Sequence, residues 1–223
     1  MNKKARVFQM CCFHIFLPIL KLYGFEVKGL EKLKEVNGAV IFAANHVNPL
    51  DGIITAVAIA MHNAGKFLPV RYLAFAKYFS WIHFQWPFIF PVSLFVAAWI
   101  QISNCIPVKS RSKKERQKMS LKDVLSEGIL ALENGERLFI FPEGAMNRTD
   151  EMLLPGKRGV ACLHKETGAP IVPMAIHYCS RKITVSFGEP ICDLNNPSRC
   201  DLDTGTKKVM KRIEKLLVEI NGG

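Results

Sequence analysis

Two short segments of the 223-residue chain carry side chains able to move a proton or hold a polar substrate. The first reads Asn45-His46-Val47-Asn48-Pro49-Leu50-Asp51. An imidazole and a carboxylate at this spacing can share a hydrogen bond across a turn. The second ring nitrogen is then left basic and facing a substrate hydroxyl. The spacing permits that pair without forcing it, because an aspartate capping a helix beside an idle surface histidine has the same pattern. The second segment reads Phe141-Pro142-Glu143-Gly144-Ala145-Met146-Asn147-Arg148. Glu143 is placed to hold a substrate hydroxyl or a cationic neighbour, Gly144 gives access to the backbone, and Arg148 suits a phosphate. Downstream, Pro155-Gly156-Lys157-Arg158-Gly159 sets Lys157 and Arg158 just before a helix, a pattern fitted to anions.

Other routes to catalysis lack their local signs. No G-x-S-x-G elbow occurs, so covalent hydrolase chemistry is unsupported. Neither G-x-G-x-x-G nor G-x-x-x-x-G-K-[ST] is present, which argues against dinucleotide and P-loop binding. The seven cysteines include no C-x-x-C pair and no four ligands at zinc spacing. Reduced, mostly buried thiols on a protein facing the cytosol are expected. A His–Asp pair that activates an incoming alcohol directly is what remains.

The elements that must position these residues alternate between β-like and helical runs. Ala39–Ala44 reads as a buried strand ending at Asn45-His46, and Pro49 with Asp51 opens a helix running to Met61. Arg71–Phe75, Cys105–Val108 and Arg137–Phe141 are further strands. Lys118–Asn134 is an amphipathic helix weakened by Gly128. Arg158–Glu166 is a helix ended by Gly168, PIVPMAI and KITVSFG are strands, and Lys207–Ile220 is a closing helix. This order predicts an α/β fold with a largely parallel central sheet covered by helices, in one domain spanning residues 1–223. Reactive side chains in such a sheet gather at the C-terminal ends of strands, where both segments fall.

Two apolar segments and the charge indicate where the protein works. After Lys3, Lys4 and Arg6, the run Phe8–Tyr23 is apolar nearly all round, interrupted by His14, Pro18 and Lys21. No cleavage pattern of small residues follows it, so residues 1–23 are expected to form an interfacial, membrane-associating helix. Tyr78–Val108 contains no Asp, Glu, Lys or Arg, yet Pro87 and Pro91 break it. A single crossing there would place His46 and Glu143 on opposite sides of a bilayer. A patch lying on one face, with Trp81, Trp86 and Trp99 as interfacial anchors, is the expectation. Lys109, Arg111, Lys113, Lys114, Arg116 and Lys118 follow at once and suit an anionic leaflet. The net charge of +11 favours anionic partners, and its pairing with apolar surface points to a phospholipid membrane rather than to nucleic acid.

With these residues in hand, the sequence resembles the glycerolipid acyltransferases, whose best-known members act on 1-acyl-sn-glycerol-3-phosphate. The pattern N-H-x-x-x-x-D stands at Asn45–Asp51 and F-P-E-G at Phe141–Gly144. A K-x-G block stands at Lys157–Gly159, Ile171–Met174 matches I-V-P-V, and Phe187–Ile191 is also typical. The similarity runs from about Val27 to Ile191. It implies acyl transfer from acyl-CoA or acyl-carrier protein to the free hydroxyl of a lysophospholipid, with no metal in the chemical step and the catalytic face toward the cytoplasm. His46 would be the general base and Asp51 would fix its tautomer. Asn45, Glu143, Gly144, Lys109, Arg111, Arg148, Lys157 and Arg158 would bind substrate, Glu143 at the glycerol and the cations at its phosphate.

The chain departs from the family at two places. Ala145-Met146-Asn147 replaces the common Thr-Arg-Ser, and Ser110 takes the arginine position of the I-P-V-x-R block at Ile106–Ser110. Both usual phosphate-binding arginines are therefore missing from their places. A neighbouring cation reaches a phosphate at a different angle. Altered headgroup recognition follows as an expectation, with a different lyso-lipid as the alternative acceptor. A silent lipid-binding scaffold is the remaining reading.

Overall fold

A computed structural model describes residues 2–75, 99–103, 105–108, 119–180, 182–194 and 202–222. Lys109, Arg111, the rest of the basic run through Lys118, Trp81 and Trp86 lie outside the described residues.

Among the described residues, seven strands form the sheet: β1 (Phe25–Lys28), β2 (Val40–Ala44), β3 (Val70–Phe75), β4 (Ile106–Val108), β5 (Arg137–Ile140), β6 (Ile171–Cys179) and β7 (Lys182–Phe187). Their order is β1-β7-β6-β2-β5-β3-β4. Every neighbouring pair is parallel except the β6–β7 hairpin. The expected α/β architecture with a largely parallel, helix-covered sheet is what the chain adopts.

The middle of the sheet is buried on both faces, which is why β2 reads as an unbroken apolar run. Alternation along the strands divides the core. Phe42, Ala44, Met174 and Ile176 face one layer, built from α1 (Lys3–Leu22) and α2 (Asp51–Phe67). Ile41, Ala43, Leu138 and Ala175 face the other. That layer holds α3 (Leu121–Val124), α4 (Ser126–Glu133), α5 (Gly159–Thr167) and α6 (Leu202–Asn221). At Gly29, φ is +76° and an added Cβ would lie 2.4 Å from the Phe187 carbonyl oxygen, so only glycine fits the turn that sets β1 beside β7.

Three expectations are corrected. The helix expected over Lys118–Asn134 is broken at Leu125, whose backbone (φ −99°, ψ 6°) leaves the α region while its side chain is buried. A Ser120–Asp123 capping box starts the first piece. Gly128, read as a weak point, is a close-packing point: a Cβ there would lie 3.3 Å from Leu163. Trp99 is not an interfacial anchor. It is only 4% exposed, its ring 5.9 Å from those of Phe8 and Tyr72.

The N-terminal helix α1 is long and apolar enough to cross a membrane, with a mean hydropathy of 1.4, though only 22% of its apolar window is buried. It is also fastened to the domain. The Gln9 side chain donates to the Val70 carbonyl (2.8 Å) and accepts from the Val70 amide (2.9 Å). Arg6 donates to the Gly65 carbonyl. The opposite side presents Val7, Ile15, Ile19 and Leu22 outward, the surface expected of a helix that associates with lipid.

Candidate active site

His46 leaves the end of β2, and Asp51 opens α2 five residues later. The turn between them closes as the sequence allows. His46 Nδ1 donates to Asp51 Oδ2 at 3.0 Å, which fixes the tautomer and leaves Nε2 as the basic nitrogen. The backbone amides of Val47 and Asn48 donate to the same oxygen at 2.7 and 2.8 Å. The carboxylate thus caps its own turn and orients the imidazole at once. Asp51 is fully buried, whereas the His46 side chain is 20% exposed. Nε2 has no hydrogen-bond partner among the described residues.

Neighbouring strand ends hold the imidazole in place. Phe141, just past β5, stacks on His46 with ring centroids 4.0 Å apart and planes 15° from parallel. Glu143, 2% exposed, accepts from the His46 amide (2.8 Å) through Oε1 and from the Leu154 amide (2.8 Å) through Oε2. It therefore ties the β2 end to the loop after β5. Asn147 adds a second tie, its amide donating to the His46 carbonyl at 2.6 Å, while its side chain holds the Thr149–Glu151 turn. One of the family departures is thus a structural link. Asn45 is buried and grips β6 from both sides, donating to the Ile176 carbonyl (2.9 Å) and accepting from the Ile176 amide (2.7 Å).

Burial pushes the Glu143 carboxyl above the usual carboxylate range, against its two backbone donors, which pull it down. A carboxyl raised in this way binds its proton more tightly folded than unfolded. Its contribution is largest at low pH and is lost as pH rises through the folded value. We expect Glu143→Gln to reduce stability by about 1–3 kcal/mol, because the amide NH2 meets a backbone N–H that needs an acceptor. Denaturant unfolding across pH should show the gap between wild type and variant widest in acid and narrowing toward neutrality.

A groove of about 590 Å³ opens beside the dyad, lined by Asn45, Val47 and Asn48 with Asp150, Met152, Ile176, His177, Tyr178 and Leu217. A smaller cavity of about 220 Å³ lies among Arg71, Glu136 and Arg137 at the N-terminal ends of β3 and β5, remote from the dyad. His46, Asp51, Asn45, Glu143 and Gly144 come together at the C-terminal end of the sheet. Lys157 joins them: its amide bonds the Pro142 carbonyl, and Nζ reaches the Gly144 carbonyl at 3.3 Å. Arg148 is exposed on the loop beyond Asn147. Arg158 is turned onto the start of α6, in a two-pronged ion pair with Asp203.

Sequence reasoning missed two contributors. Phe141 stands in the sequence as the end of a strand and the start of the F-P-E-G block, with no sign that its ring stacks on His46. Tyr178, on β6, donates from its hydroxyl to Asp51 Oδ1 at 2.5 Å. Nothing in the local pattern around residue 178 announces that contact across 127 positions. Among the described residues no group of three or more His, Cys, Asp or Glu side chains is placed to hold a metal ion.

Residues 24–177, about two thirds of the chain and the part that holds His46, Asp51, Glu143 and Lys157, match the family model described as Acyltransferase. The chain belongs to the acyltransferase family. Among solved structures, the acyltransferase fold recurs in the 1-acyl-sn-glycerophosphate (LPA) acyltransferase PlsC from Thermotoga maritima. That structure superposes with a TM-score of 0.64 over 99% of this chain and 80% of that one, at 18% identity, and so supports the fold. No curated protein matches the chain.

Proposed function

We propose that this acyltransferase moves a fatty acyl group from acyl-CoA or acyl-carrier protein to the sn-2 hydroxyl of 1-acyl-glycerol-3-phosphate, giving phosphatidic acid. The observation that carries the reading is the partly exposed His46 imidazole, bonded through Nδ1 to the buried Asp51 and flanked by Asn45 and Val47, which line a groove. Nε2 takes the hydroxyl proton as the acceptor oxygen attacks the thioester carbonyl carbon. The C–S bond breaks, and the departing thiolate recovers the proton from the imidazolium. Asp51 holds the charged ring through that exchange, and Glu143 keeps the His46 backbone in register. Lys157 and Arg148, with Lys109 and Arg111 from the basic run, supply positive charge for the acceptor phosphate. The apolar outer side of α1 seats the domain on the membrane. Its catalytic face is toward the cytoplasm, where both donors and reduced thiols such as the free Cys12, Cys105 and Cys162 are found.

One observation favours a second acceptor. Among the described residues, the groove beside the dyad is lined by Asp150, His177 and side-chain amides, with no lysine or arginine. Arg158 is engaged with Asp203. That lining suits a lyso-lipid whose headgroup offers hydroxyl or amino groups more than it suits a phosphate monoester. Membranes containing the protein, given labelled oleoyl-CoA or acyl-carrier protein, should acylate lysophosphatidic acid within a panel of lyso-lipids. Product from another lyso-lipid alone would transfer the assignment to that acceptor. No product from any acceptor, with folded protein and either donor, would leave a lipid-binding scaffold.

A further inference from the structure

We propose that Tyr178 is a positioning residue of the dyad, its phenol orienting the Asp51 carboxylate and setting how firmly that carboxylate holds the charged form of His46. The inference rests on His46 being the base.

The two carboxylate oxygens of Asp51 are used unequally. Oδ2 takes His46 Nδ1 and the amides of Val47 and Asn48, all from the same turn. Oδ1 takes the Tyr178 hydroxyl at 2.5 Å, the one donor to that oxygen among the described residues. A carboxylate with three partners on one oxygen can still pivot about its own bond, and a donor on the other oxygen fixes its plane. Burial holds the Tyr178 hydroxyl above the ordinary phenol range, so it remains a donor wherever the enzyme works.

The fold puts Tyr178 there by register. Asn45 bonds both backbone groups of Ile176, which locks β6 against the residue preceding His46. Two residues on, Tyr178 emerges on the same sheet face as Ile176, the face on which α2 begins with Asp51. The segment that carries the base therefore also sets the strand that supplies the phenol.

A phenol donor drains charge from the carboxylate. Without it, more negative charge faces the imidazolium, and the ring needs a higher pH to become neutral. Around the dyad and its groove, the other described titratable groups include Glu143 past β5, Lys157 at the Gly144 carbonyl, His177 on β6, Asp150 in the groove, and Tyr72 on β3. Tyr72 touches the dyad only through Thr55, which bonds the Asp51 carbonyl. None of these donates to the carboxylate, so the effect is assigned to Tyr178.

The test is the pH profile of kcat/KM for wild type, Tyr178→Phe and His46→Ala, on the acceptor that wild-type membranes use. Tyr178→Phe should lose roughly tenfold at neutral pH, mostly in kcat, and its acidic limb should move to higher pH. A uniform loss with an unmoved limb, or a change confined to KM, would reduce Tyr178 to packing. Replacing the four tyrosines with 3-fluorotyrosine, a stronger donor, covers the case in which Tyr178→Phe does not fold. The limb should then move to lower pH, and an unmoved limb would sink the proposal. Full activity in His46→Ala would overturn the base assignment itself. An inactive His46→Ala beside a wild-type-like Tyr178→Phe would overturn only the role of Tyr178.

Discussion

Replacing His46 with alanine is expected to cut acyl transfer by roughly three orders of magnitude while leaving the fold intact. The size follows from the role. A positioned general base contributes about 10²–10⁴-fold, and the stacked, tautomer-fixed imidazole has no neighbour able to substitute for it. Glu143 is the nearest alternative, but both of its oxygens already accept backbone amides, and it is 2% exposed. The stability cost should stay within about 1 kcal/mol, because the His46 side chain is partly exposed and Asp51 keeps three other donors. Labelled product formed by membranes, with thermal unfolding measured on the same preparation, separates the two effects. Residual activity above about a tenth of wild type would mean that the alcohol is activated elsewhere.

How much of this site was visible in the sequence depended on distance along the chain. His46 and Asp51 sit five positions apart, so one turn decides whether they meet, and local spacing could suggest it. β2 could be recognised because a strand buried on both faces is an unbroken apolar run. Phe25–Lys28 was not read as a strand. It is short and only half-buried, and its partner β7 lies more than 150 positions downstream. Tyr178 was invisible for the same reason, since its contact with Asp51 exists only once Asn45 has set the register of β6. Trp99 was misplaced because an apolar stretch was treated as one surface, although the tail of that stretch packs against Phe8 and Tyr72. Arg158 looked like an anion ligand because a cation before a helix commonly is one. Asp203, 45 residues later, takes it instead.

The family departures are read differently once the chain is folded. Asn147, where the pattern commonly has serine, bonds the His46 carbonyl through its amide and organises Thr149–Glu151 through its side chain. That turn delivers Asp150 to the groove. Met146, where the family pattern commonly has arginine, and Asp150 of the groove thus belong to one loop, so substitutions in that loop are expected to change which lyso-lipid is accepted more than they change the acyl chemistry.

Asp51→Ala is expected to damage both activity and stability, and the contrast with His46→Ala tests the architecture of the dyad. Removing the carboxylate strands four donors at once: His46 Nδ1, the Val47 and Asn48 amides, and the Tyr178 hydroxyl. Each buried, unsatisfied donor costs about 1–3 kcal/mol, though water entering from the groove relieves some of them, so a loss of about 3–5 kcal/mol is expected. Asp51→Asn is the gentler probe. It keeps the volume and one acceptor oxygen, but its NH2 must face a donor or force the imidazole into the other tautomer. A carboxylate-to-amide change of that kind should cost up to the roughly three orders of magnitude expected for His46→Ala, because the wrong tautomer leaves no base facing the alcohol. Because His46 and Asp51 act as a unit, the double variant His46→Ala/Asp51→Asn should be no less active than His46→Ala alone. Their stability losses should instead differ sharply, with nearly all of the cost in the Asp51 change. Multiplicative activity losses in the double variant would mean that the two side chains act independently. In that case Asp51 would be a helix cap that happens to lie beside a base.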